Sequence, residues 1–408
     1  MRRRNTRYLI LLPREFKGWV REGISICFLL IVLQESAQGF VTLTPSMALS
    51  ERYTDNFFFT EIEANREGDF TTTVGPQLTL SAENRNLNMS ARYQGNAEFN
   101  IRHPEENRYG QTLSMDIVMP SISEIRGLDL HITESVAYVP ELPAFSFGRS
   151  GPLPVEANQG IQVGRTDTFR NRAGVTLGYG WTSLFSTALS YSYLTNQYRG
   201  GTLEDYIVHQ GGINGVYQVS RRMQWIASYD ASVTNYEKAD SVAVHNFHLS
   251  DRYQISPTFT ASVGTGVAVI PGGETQWTLS AEVGETGPFR TLSFQYIRGI
   301  GTGGGVTTTA TLSQNLVGQV IQTLSRSASA TLRLGYGVNE ALSGPAVKIS
   351  TQEFGAGIQI SFLSWLSGGV NYSYLNQRTD GGMTIQDAHR NLIMVNLTAT
   401  ALPLRIMQ

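Results

Sequence analysis

The stretch Asn86-Leu-Asn-Met-Ser-Ala-Arg-Tyr-Gln-Gly-Asn-Ala-Glu-Phe-Asn100 carries the pattern on which the fold turns. Its odd positions Leu87, Met89, Ala91, Tyr93, Gly95, Ala97 and Phe99 are apolar or glycine, and every even position is polar or charged. A strand sends successive side chains to opposite faces, so this segment has one apolar and one polar face over about 50 Å. A helix, with its period of 3.6, would scatter both sets around its axis.

The alternation recurs along the chain. Leu113, Met115, Ile117 and Met119 oppose Thr112, Ser114 and Asp116; Trp225, Ala227, Tyr229, Ala231 and Val233 oppose Ser228, Asp230, Ser232 and Thr234. Ala328 to Val338 and Ile393 to Ala401 repeat it near the carboxyl end. Strands of soluble sandwiches alternate too, but they commonly run about five or six residues. These run about ten to fifteen, enough to cross a bilayer at a tilt, which takes about 9–11. Arg92, Glu98, Asp116, Asp230, Glu282 and Arg333 all fall on the polar side, as a wet lumen requires. Strands survive in hydrocarbon only when the sheet closes, because an open edge leaves backbone groups unpaired. The expected fold is therefore all-β, a single closed antiparallel transmembrane barrel.

Eighteen strands are expected, over 43–55, 69–83, 86–101, 108–118, 128–138, 168–179, 184–196, 207–218, 224–236, 242–254, 258–270, 274–284, 290–301, 306–317, 326–338, 352–363, 366–377 and 389–402, with sixteen the alternative count. Connections after strands two, six, eight, ten, twelve and sixteen are tight, while those after one, five, seven, fifteen and seventeen are long. Outer-membrane barrels have short periplasmic turns and long outer loops, which an amino terminus in the periplasm reproduces. Tyr191, Trp225, Tyr229, Trp277, Trp365 and Tyr372 fall near strand ends or on the apolar face, where amphipathic rings form girdles at the bilayer surfaces.

Composition agrees. Of 408 residues only 16% are charged, against roughly 25% in soluble domains. Residues 1–23 hold seven basic side chains, the run 24–33 (ISICFLLIVL) is apolar, and Ser36, Ala37 and Gly39 follow. That layout is a secretory signal over 1–39, with the barrel at 40–408; ten apolar residues are too few to span a bilayer as a helix. The only cysteine, Cys27, leaves with the signal, so no disulfide is expected. Of 31 basic and 33 acidic groups the mature chain keeps 24 and 30. A net negative chain without a basic tract offers no footprint for nucleic acid.

Catalytic and metal signals are weak. His245 and His248 lie three apart, on opposite faces of a strand, and cannot share a metal. The run Gly299–Gly305 lacks the lysine of a phosphate loop and reads as a hairpin. No serine sits in a nucleophile elbow; His131 with Ser135 or Ser114 is the nearest approach to a hydrolase pair. No cofactor, metal or enzyme is expected. The loop 139–167 contains Pro140, Pro143, Pro152 and Pro154 around Phe145 and Phe147. Loops of that length are usually functional or disordered, and this one is expected to fold into or over the mouth, Phe145 and Phe147 narrowing the passage. Asn56-Phe-Phe-Phe59, followed by Glu61, Glu63, Glu67 and Asp69, reads as outer-rim material.

Barrels of 16–18 strands commonly leave an aqueous passage. The expected function is a polar pore with a mixed-sign wall and no strong ion selectivity, its partners outer-membrane lipid and the barrel-insertion machinery. The alternatives are a non-conducting structural or adhesive barrel acting through its long loops, and, third, an outer-membrane serine hydrolase.

Two segments, Tyr191-Ser-Tyr-Leu194 through His209 and Tyr372-Ser-Tyr-Leu375 through His389, repeat one another. With Thr44-Pro-Ser-Met-Ala-Leu-Ser50, Glu51 to Asn56 and Arg390-Asn391, the chain resembles predicted outer-membrane barrels found beside exopolysaccharide and protein-sorting (PEP-CTERM) gene clusters of Gram-negative bacteria. The resemblance implies an outer-membrane barrel tied to polysaccharide export or envelope assembly, with polysaccharide or an export complex as partner and no catalytic residues. The chain departs from the terminal phenylalanine usual in such barrels, closing Leu402-Pro-Leu-Arg-Ile-Met-Gln408.

Overall fold

The period-two pattern builds one continuous antiparallel sheet. A computed structural model describes residues 40–407, leaving out 121–126, 142–144, 146–160, 163, 200–202, 303–305, 345 and 382–384. Residues 1–39, read as a secretory signal, and Phe147 therefore lie outside the described residues.

Eighteen long strands follow one another as neighbours: β1 (Phe40–Thr54), β2 (Asp69–Glu83), β3 (Asn88–Asn100), β4 (Arg108–Met119), β5 (Leu128–Val139), β6 (Asp167–Gly180), β7 (Phe185–Arg199), β8 (Tyr206–Ser220), β9 (Met223–Tyr236), β10 (Val242–Gln254), β11 (Phe259–Val269), β12 (Thr275–Thr286), β13 (Arg290–Thr302), β14 (Ala310–Thr323), β15 (Ala328–Ala341), β16 (Lys348–Leu363), β17 (Leu366–Asp380) and β18 (Ile385–Thr400). The sheet closes where β1 pairs with β18, Ser46 opposite Thr400 through Thr54 opposite Leu392. A short β19 (Leu404–Met407), absent from the expected set, pairs with the first residues of β1. The reading of eighteen rather than sixteen spanning strands holds. No edge is left open along the wall, as hydrocarbon demands.

Register fixes which side chains share a face. Opposed residues point the same way, so Leu49 with Leu397, and Leu249 with Ala227, stand outward. Leu249, Val263, Leu332, Ile358, Val370 and Val395 are about half exposed on the outside of an isolated barrel, the signature of a face meant for lipid rather than for another sheet. Trp181, Phe289 and Trp365 lie in the short turns and Trp225 just above one of them, forming the girdle of the short-turn end.

Four outward tyrosines stand five or six residues in from that end, on β3, β7, β9 and β17. Each hydroxyl is paired across to the next strand. Tyr93 meets Tyr109 at 2.8 Å, Tyr191 meets His209 Nδ1 at 2.9 Å, and Tyr229 meets His245 Nδ1 at 2.8 Å. Tyr372 donates to Asn391 Oδ1 at 2.8 Å. A hydroxyl at membrane depth has no water to bond, so the protein supplies the partner. The two Tyr-Ser-Tyr-Leu segments are thus two instances of one wall device: the first tyrosine is tied to its neighbour strand, and the leucine, Leu194 or Leu375, turns inward and is buried.

Candidate functional site: a divided lumen

The inward register carries every charged residue marked by alternation. Arg92, Glu98 and Asp116 project from β3 and β4, Asp230 from β9, Glu282 from β12 and Arg333 from β15. They do not converge on one point. Glu98 is held by Arg165 at 2.9 Å and lies 3.8 Å from Arg52. Asp116 pairs with His131 Nε2 at 2.8 Å. Ser114 and Ser135 oppose one another on β4 and β5, but no hydrogen bond joins either to His131. That arrangement is an Asp–His pair in a wall, not a nucleophile with its base. No group of three or more metal-ligating side chains occurs among the described residues.

One side of the lumen is filled. Phe145, from the connection between β5 and β6, is 2% exposed and packs with Phe59, Leu375, Ala388 and Val317. It lies on Gly335 of β15, where a Cβ would stand 2.6 Å from the ring, so only glycine admits this contact. The two ends of the same loop are tied to strands far away in sequence. Glu141 accepts from Arg390 of β18 at 2.6 Å and from Gln162 Nε2 at 3.0 Å. The Gln162 backbone N–H donates to Gln377 Oε1 at 2.7 Å, and Gln377 Nε2 donates back to the Gln162 carbonyl at 2.9 Å. Arg165 reaches Glu98 on β3.

The loop after β1 joins this plug. Asn56 and Phe57 are buried, with Asn56 Nδ2 donating to the carbonyls of Thr60 and His389 at 2.8 and 2.9 Å. Arg165 stacks 4.5 Å over Phe57, and Arg390 lies 5.3 Å over Phe59. The expectation that 56–59 is rim material needs correction: Phe57 and Phe59 turn inward because two buried guanidiniums offer their faces a cation, while Glu61, Glu63 and Glu67 stay exposed.

Glu141 is nearly enclosed, with its side chain 15% exposed. Burial pushes its carboxyl up, but the Arg390 and Arg52 guanidiniums outweigh that and hold it below its ordinary 4.5. At neutral pH it is ionised, and the loop is fastened by charge-assisted bonds.

The other side of the lumen is open. A cavity of about 880 Å³ runs against β3 to β14, lined by serine, threonine and asparagine and by apolar side chains such as Leu194, Val208, Val244 and Ile297, together with Asp116, His131, Arg172, Asp230, Arg252 and Glu282. The alternating pattern was sufficient to mark that wall. Nothing in the pattern marked Glu141, Gln162 or Arg165, since they lie in irregular loop and their partners stand up to 249 residues away. Arg390 was visible only as part of a terminal motif.

No family model matches the chain, and no curated protein matches it. Solved structures do. The outer membrane protein opdK of Pseudomonas aeruginosa matches at 10% identity and TM-score 0.48, over 88% of this chain and 99% of that one. OccK2 (OpdF) of the same organism matches at 12% and 0.47, over 90% and 100%. Its siderophore receptor PirA matches at 10% and 0.42, over 88% and 80%. These are likenesses of barrel architecture. The expected kinship with barrels of exopolysaccharide and PEP-CTERM clusters is overturned: no family model supports it, and the matches lie among other outer-membrane proteins. The motifs behind it are wall and loop chemistry, with Tyr191 and Tyr372 bonding neighbour strands, and Arg390 and Asn391 bonding Glu141 and Asp55.

Proposed function

We propose that this outer-membrane barrel is a channel for small polar solutes, running along the open side of the lumen and narrowed by the β1–β2 and β5–β6 loops, which with buried Phe145 fill the other side. The cavity of about 880 Å³, in which uncharged polar side chains and charges of both signs stand among apolar ones, carries this reading. A barrel serving only as scaffold or adhesin would have no need of polar side chains along a cavity away from its outer loops.

Reconstitution into planar bilayers tests it. Discrete conductance steps are expected, with a cation-to-anion permeability ratio within about fivefold of unity under a salt gradient, because wall charges of both signs leave little net field. Silent bilayers would return the protein to the structural reading. Near-perfect preference for one ion sign would contradict the mixed wall.

A further inference from the structure

We infer that the open sector passes neutral polyhydroxylated solutes, of monosaccharide to disaccharide size, faster than charged solutes of the same size. This rests on the channel reading and adds to it a substrate class.

The chemistry of the wall points that way. Its inward positions are dominated by small hydroxyl and amide side chains, such as Ser90, Ser114, Ser190, Ser228, Asn246 and Ser280. Hydroxyls both donate and accept, so they exchange readily with the hydroxyls of a sugar or polyol that sheds water in the narrow sector. They cannot replace the hydration of a full charge, which loses solvation against a protein wall.

Most of the charges that do line the sector are engaged by the protein or drawn against its wall. Asp116 is taken by His131, and His248 Nε2 lies 3.0 Å from Ser280 Oγ. Arg172 and Glu282 are both engaged by neighbouring groups. Asp230 lies flat over Gly212, where a Cβ would come within 2.3 Å of its carboxylate oxygen, so it is drawn against the wall rather than extended into the passage. Arg252 carries the opposite sign on the neighbouring strand, six positions along from Asn246, the residue opposite Asp230. Among the described residues no ladder of one sign lines the sector. The arginines that could have formed one, Arg52, Arg165 and Arg390, stand in the filled sector beside Glu98 and Glu141.

Phenol and phenyl surface is scarce on the inward face of the cavity among the described residues. The ring there, Tyr236, is 7% exposed and packed against Tyr206 and Leu194. Selection in this sector is therefore by hydrogen bonding and size, not by stacking.

Glucose, gluconate and glucosamine share a carbon skeleton and differ in charge, and their entry into vesicles holding the full mature barrel decides the matter. Glucose is expected to enter at least threefold faster than either charged analogue. A Ser228→Trp or Ser135→Trp substitution, each placing a ring in the open sector, is expected to cut glucose entry at least fivefold in whichever variant retains the heat-modifiable mobility of a folded barrel. Entry of gluconate or glucosamine as fast as glucose overturns the inference and leaves the channel intact. Unchanged glucose entry in both folded variants also overturns it, by placing the path elsewhere. Conductance steps without glucose entry overturn this inference alone, whereas silence in both assays defeats the channel reading with it.

Discussion

Deleting residues 142–154 raises single-channel conductance about two- to fivefold. The deletion removes Phe145, whose ring is 2% exposed against the Gly335 wall, and uncouples the loop from Phe59, Leu375 and Ala388. It leaves every strand and the β1–β18 closure in place, so the barrel itself persists. Acid reaches the same state by another route. The Glu141 carboxyl is held below 4.5 by Arg390 and Arg52, so its fastening of the loop is complete above that ordinary value and disappears as pH falls through the depressed one. Wild-type conductance should stay level from pH 8 down to the ordinary carboxyl value of 4.5 and rise only below it, while the deletion variant shows no such rise. A conductance that the deletion leaves unchanged would remove the loop from the conducting path.

A charge on the outer wall has the largest expected effect on stability. Leu249 stands outward on β10, 58% exposed, opposite Ala227 and between the levels of Trp225 and Tyr229. Leu249→Arg should cost about 2–4 kcal/mol, the depth-dependent penalty for a cation facing hydrocarbon. Ser228→Arg, one strand away and facing the cavity, should cost less than about 1 kcal/mol, because the guanidinium reaches water. Reversible folding into lipid vesicles, followed by tryptophan fluorescence in denaturant, compares the two. Equal penalties would mean the two faces see the same surroundings.

The wall was legible because its rule is local. Alternation at 86–100 sets Arg92 and Glu98 on the face opposite Phe99 without reference to any other strand, and Phe99 is half exposed. Strand number and closure followed from length and turn chemistry, with β19 missed because Pro403 interrupts its approach to β1. The plug was only half legible. Loop length and its aromatic content marked Phe145, but the bonds that hold the loop join Glu141 to Arg390 and Gln162 to Gln377, pairings set by closure of the barrel and invisible to any periodicity. The Phe57 and Phe59 side chains were misplaced for the same reason. Their inward turn depends on Arg165 and Arg390, two residues remote in sequence that arrive beside them only once the sheet has closed.

A membrane-spanning barrel with a passage requires the two faces of each strand to meet different phases, lipid outside and water within. A nitroxide scan of positions 226–233 on β9 in lipid vesicles tests that directly, reading collisions with oxygen and with a water-soluble nickel chelate. Labels at 227, 229, 231 and 233 should favour oxygen, and labels at 228, 230 and 232, along the cavity, should favour nickel, with a strict period of two. Odd positions shielded from both reagents would mean that their apolar sides are packed against a second sheet, and that the barrel, its membrane setting and its passage are wrong.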